Sequence, residues 1–167
     1  ANDLDRIKPG QAQYSMFCNE NGGIIDDLIV YLVSDTEVRF IPNAGNASTV
    51  VAELEKILPS GLTLENNHLK QGILAIQGPK SADLVKALGL PADHDYMAFA
   101  DATWNGHALT VCRTGYTGEH GYEIVIGNEG LAALFDAVLA AGDAFGLLPC
   151  GLGARDTLRT EIGRAHV

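Results

Sequence analysis

Asn19-Glu20-Asn21-Gly22-Gly23-Ile24-Ile25-Asp26-Asp27-Leu28-Ile29-Val30-Tyr31 sets a glycine turn and two adjacent carboxylates ahead of an aliphatic run. Gly22-Gly23 supplies backbone free to take positive φ, so the chain can reverse there. Leu28 to Val33 is short and mostly aliphatic, which predicts a strand buried on at least one face. A carboxylate at the head of such a strand loses water and needs a partner, or its pKa rises. It is then either a turn cap or a working acid–base group, and local chemistry leaves both open.

Outward from this stretch, Gln11 to Cys18 follows Pro9-Gly10 and reads as a strand. Ser34 to Glu37 is a turn and Val38 to Ile41 the next strand, giving two successive antiparallel hairpins. Val50, Val51, Leu54, Ile57 and Leu58 have helical spacing, and Pro59-Ser60-Gly61 stops that helix. Leu62 to Glu65 reads as a short strand. A seam after Asn66 then divides a first subdomain, residues 1–66, from a second, residues 67–161.

The second part reads strand, helix, three strands, helix. Gly72 to Gln77 is a buried strand, and Pro79 suits the first turn of a helix that ends at Gly89. Met97 to Trp104 and His107 to Arg113 are strands joined by the hairpin signal Asn105-Gly106. Tyr122 to Ile126 is a strand, and Leu131 to Phe145 an Ala/Leu-rich helix stopped by Gly146. Such mixed order predicts an α+β chain with mixed or antiparallel sheets and flanking helices. The second subdomain is expected to be ferredoxin-like.

The chain has 167 residues, 47% of them hydrophobic, which is enough for a core. A net charge of −10 and a pI near 4.7 repel phosphate backbones, so nucleic acid is an unfavoured partner. No apolar run reaches the roughly 18 residues that cross a bilayer, so no membrane partner is expected. Cys18, Cys112 and Cys150 are widely spaced, with no metal-ligand pattern. Free thiols in a reducing compartment follow. Ile162 to Val167 can be encoded by a common sequencing adapter and are expected to be a non-native tail. The rest is then expected to be a fragment cut at both ends.

A second constellation spans Cys112 to Ile124. Gly115, Gly118 and Gly121 permit a compact loop and close backbone approach to a ligand. Tyr116 and Tyr122 offer flat surfaces with polar tips. Glu123 can face a pocket while Ile124 faces the core, and a buried carboxylate matches a flat heterocycle with two parallel N–H donors. A decorated hairpin loop is the plainer alternative. No helix follows these glycines, so they are not a dinucleotide fingerprint. Arg155 and Arg159, four apart, share one helix face, either solvated or anion-binding.

Four motifs in order resemble one family. They are Tyr14 to Tyr31, Leu74-Ala75-Ile76-Gln77-Gly78-Pro79, Arg113 to Ile124, and Gly151-Leu152-Gly153-Ala154-Arg155-Asp156-Thr157-Leu158-Arg159. The chain from about Gly10 to Glu161 resembles the T-protein, or aminomethyltransferase, family of the glycine cleavage system. The resemblance implies transfer of a methylene from an aminomethyl-lipoyl arm on the carrier H-protein to tetrahydrofolate. The products are ammonia, 5,10-methylenetetrahydrofolate and dihydrolipoyl carrier. It implies Asp27 as the catalytic residue and Tyr14, Asn43, Tyr116, Glu123 and Arg155 as folate contacts, Glu123 gripping the pterin edge. No metal is implied. The location implied is cytoplasmic, or mitochondrial in a eukaryote. The family's fold is three domains around a folate channel, so a chain of this length is expected to lack the C-terminal domain and to be weakly active or inactive alone.

Two other classes share the motifs. One is the folate module of dimethylglycine or sarcosine oxidoreductases, which follows a flavin domain. The other is the non-catalytic folate-binding protein of iron–sulfur cluster maintenance, from which Asp27 and Tyr116-Thr117-Gly118-Glu119 depart.

Overall fold

The computed structural model describes residues 2–161, so Ile162 to Val167 lie outside the described residues. The chain divides into two compact units between Lys70 and Gln71. The first holds an antiparallel sheet of β1 (Gln11–Cys18), β2 (Ile24–Ser34) and β3 (Glu37–Ile41), in that order. These are the two successive hairpins read from the turn residues. Asn19 builds the first turn: its Oδ1 accepts from the N–H groups of Asn21 and Gly23, at 3.0 and 2.8 Å. Gly22 takes a φ of 79° there, a region that favours glycine.

β2 begins at Ile24, earlier than the aliphatic run suggested. Asp26 and Asp27 therefore lie inside the strand, paired with Phe17 and Met16, rather than at its head. The α-helix α1 (Ala47–Ile57) covers one face, where Leu28 and Val30 bury against Val50. Period two puts Asp26 on this covered face, 6% exposed, and Asp27 on the other. The strand expected at Leu62 to Glu65 does not form. An extended run becomes a strand only where an edge accepts its N–H and C=O groups, and Leu62 is 60% exposed.

The second unit is an antiparallel sheet of β4 (Gln71–Gln77), β5 (Phe99–Trp104), β6 (His107–Cys112) and β7 (Gly121–Gly127), in the order β4-β7-β6-β5. Two helices, α2 (Ser81–Ala87) and α3 (Asn128–Gly142), join it in one core. Ile76, Val111, Tyr122, Ile124 and Ile126 of the strands bury there with Leu84 and Leu134 of the helices. Each such side chain contributes about 1.5–3 kcal/mol when fully buried. Gly72 lets β4 pass close to α3, since a Cβ there would fall 2.5 Å from the Leu131 side chain.

The Asn105-Gly106 turn takes φ values of 48° and 84°, as a two-residue primed hairpin requires. Pro79 lies before α2, in a turn closed by the Ser81 N–H on the Gly78 carbonyl at 3.0 Å, not within the helix. α3 ends at Gly142 and passes into a single 3-10 turn before Gly146, at φ 74°. A ferredoxin-like unit runs β-α-β-β-α-β. This unit adds β5 and, among the described residues, has no closing strand after α3. The last helix is α4 (Leu152–Glu161).

Candidate functional site

Tyr14, Asp27 and Asn43 come together on the first unit. Tyr14 pairs with Ile29, so it stands diagonal to Asp27 on the same sheet face, within reach of a long side chain. Its hydroxyl donates to Asp27 Oδ2 at 2.7 Å. The register that pairs Ile29 with Ile41 carries Asn43, two residues on, alongside Asp27. The Asn43 amide donates to Asp27 Oδ1 at 2.9 Å and to the Asp27 carbonyl at 3.0 Å. The same amide reaches Asp26 Oδ1 at 2.9 Å, and the Asn43 backbone N–H donates to Asp26 Oδ2 at 3.0 Å.

The two aspartates are thereby divided in role. Asp26 is buried and doubly bonded to Asn43, as a structural carboxylate must be. Asp27 is half-buried and held by two neutral donors, and its carboxylate keeps lone pairs for another group. Tyr14 is 41% exposed beside it. Asn43 spends its N–H groups on the aspartates, so its side-chain oxygen is what it can offer a ligand.

On the second unit, Glu123 lies on the face of β7 opposite Ile124, which is fully buried. Thr114, a residue the sequence reading passed over, donates its hydroxyl to Glu123 Oε2 at 2.5 Å. Tyr116 and Arg155 meet, the guanidinium carbon 5.2 Å from the ring centroid, a cation–π distance. Arg159 hydrogen-bonds Asp156 at 2.5 Å and Tyr116 as well; the Asp156 bond foremost raises its pKa. The shared face of the two arginines is thus set against Tyr116.

Tyr122 corrects an expectation. It is 1% exposed, and its hydroxyl donates to the Ala92 carbonyl at 2.6 Å, so it is core and offers no surface to a ligand. Gln77 explains the glycines around it. Its amide nitrogen bonds the Thr114 and Tyr122 carbonyls at 3.3 and 3.2 Å, and its oxygen accepts from Thr117 at 2.9 Å. A Cβ on Gly115 or on Gly121 would fall 2.2 Å from that amide group. Here close approach is to the protein's own Gln77.

Arg113 stacks over Tyr96 and Tyr122, at 5.9 and 5.5 Å, beside a polar cleft of about 290 Å³. His120 contacts Arg113 through Nδ1 at 2.5 Å and the Tyr122 hydroxyl through Nε2 at 3.2 Å. His94 meets the Tyr122 ring edge-on at 5.6 Å. Burial foremost, then the Arg113 charge, hold His120 below the usual histidine range. Burial likewise lowers His94.

A histidine with a lowered folded pKa opposes folding once the unfolded chain protonates. Its contribution is whole above the ordinary value of 6.5 and is lost as pH falls through the folded pKa. The melting temperature is therefore expected to fall as the pH drops below 6.5, and to fall less steeply in His94→Gln. Parallel profiles by scanning calorimetry would reject this.

Among the described residues no group of three or more His, Cys, Asp or Glu is placed to hold a metal ion. No described helix is long and apolar enough to cross a membrane. All three cysteines are free thiols.

The fold is that of a known class of protein: the crystal structure of the glycine cleavage system aminomethyltransferase T from Bartonella henselae matches with a TM-score of 0.81. That match has 36% identity and covers 94% of this chain and 42% of that one. The chain belongs to the family described as the GCVT N-terminal domain, whose model matches residues 1–167. It is 56% identical over 162 residues to aminomethyltransferases of Mycobacterium bovis and Mycobacterium tuberculosis, covering 97% of this chain and 44% of theirs. Identity to the Frankia alni aminomethyltransferase is 53% over 163 residues, covering 98% and 45%. The chain therefore spans less than half the length of these relatives.

Proposed function

We propose that this chain is the part of a glycine cleavage aminomethyltransferase that binds tetrahydrofolate and bears the catalytic aspartate. One observation carries the reading: relatives named aminomethyltransferase match 97% of the chain at 56% identity. The geometry supplies compatible chemistry. Asp27 is a half-buried ionisable group on the sheet face away from α1, oriented by Tyr14 and Asn43. It can accept a proton from a folate amine and stabilise the cationic, iminium-like carbon formed as ammonia departs.

Glu123 is an acceptor for the paired N–H donors of the pterin edge. Tyr116 and Arg155 form a flat, cationic wall suited to a folate. Asn43 would meet the ligand through its oxygen. The aminomethyl group would arrive on the lipoyl arm of the H-protein, and the bacterial origin of the relatives supports a cytoplasmic reaction.

The test is a single-turnover assay of the protein at the length of its relatives. Aminomethylated H-protein and tetrahydrofolate should give ammonia and 5,10-methylenetetrahydrofolate together. Ammonia release unaffected by tetrahydrofolate would overturn the reading.

A further inference from the structure

We infer that Thr114 is a positioning residue for Glu123, fixing the plane of its carboxylate so that the remaining lone pairs meet a ligand edge with two N–H donors. The inference rests on the pterin reading and adds to it a residue outside the expected site. The register that pairs Cys112 with Glu123 carries Thr114, two residues on, to the same side. Thr114 is 2% exposed, so its hydroxyl needs a partner within the fold, and it donates to Glu123 Oε2 at 2.5 Å. Bonds to a carboxylate are about twice as strong as neutral ones and more directional. Among the described residues Glu123 Oε1 has no hydrogen bond, so one oxygen is held and the other is presented.

Thr114 is itself braced. Gln77, at the end of β4, donates to the Thr114 carbonyl and to the carbonyl of Tyr122, the residue before Glu123. One amide thus ties both ends of the Thr114–Glu123 contact to a core strand. The glycines at 115 and 121 leave room for it. This gives the Leu74–Pro79 motif a purpose: its glutamine sets the loop that sets the carboxylate.

The experiment is titration of the chain with tetrahydrofolate, read by Trp104 fluorescence, alongside thermal melts without ligand. Thr114→Val keeps the shape and removes the hydroxyl, and should weaken binding roughly five- to tenfold. Thr114→Ser restores the donor and should bind within about twofold of the unaltered chain. Without ligand, the losses in melting temperature from Thr114→Val and Glu123→Ala should be less than additive in the double variant, because the two share one bond. Thr114→Ala replaces Thr114→Val if the valine fails to fold.

Additive losses, or Thr114→Ser as damaging as Thr114→Val, overturn the inference. So does weakened binding in Glu123→Ala with none in Thr114→Val, which leaves the pterin reading standing. Absence of tetrahydrofolate binding, or equal binding by Glu123→Ala, overturns the pterin reading and this inference with it. The ligand-free coupling tells the two failures apart.

Discussion

Asp27→Asn is expected to lower aminomethyl transfer by about 10²–10⁴-fold, in the protein extended to the length of its relatives, while leaving tetrahydrofolate affinity within about threefold. The loss is one of charge and proton affinity. Asparagine keeps the size of the side chain and can still accept from Tyr14, now at 2.7 Å from Asp27 Oδ2. It cannot take a proton or balance a cationic carbon. Asp26→Asn should behave differently. Asp26 faces the α1 side and is bonded to Asn43 twice, so its loss should lower the melting temperature more than the intrinsic rate. Equal loss of transfer in both, with unchanged stability, would sink the division of roles.

Glu123→Ala is expected to weaken tetrahydrofolate binding roughly ten- to hundredfold, the value of charge-assisted hydrogen bonds to a paired donor edge. The residue lies on β7 with Ile124 buried behind it, so truncation removes the acceptor without opening the core. Thr114 then loses its partner while 2% exposed, and part of the cost should appear as lower stability. Calorimetric titration and melting of the same samples separate the two effects.

Turn chemistry made much of the fold legible. Gly22-Gly23 and Asn105-Gly106 act within a few residues, and both turns form where the sequence places them. The α+β order of the second unit also followed from local periodicity. Asp26 and Asp27 show where such reading stops. Period two says that they oppose each other, but only the covering helix α1 says which one is buried.

Longer-range features were harder still. Gln77 reaches some forty residues along the chain, to Thr114, Thr117 and Tyr122, and no local pattern announces that. The glycines it passes were legible as sites of close approach, but not what approaches them. Tyr122 read as a binding surface because an aromatic with a polar tip suits either role; the Ala92 carbonyl makes it core. The missing strand at Leu62 to Glu65 failed for want of an edge, a property of the whole sheet and not of four residues.

The most direct measurement is calorimetric titration of tetrahydrofolate into three forms of the chain: unaltered, Asp27→Asn and Glu123→Ala. The unaltered form and Asp27→Asn should bind alike, and Glu123→Ala should bind at least about tenfold more weakly. Binding that survives Glu123→Ala unchanged, or that depends on Asp27 instead, would contradict a carboxylate that holds the pterin and another that serves the chemistry.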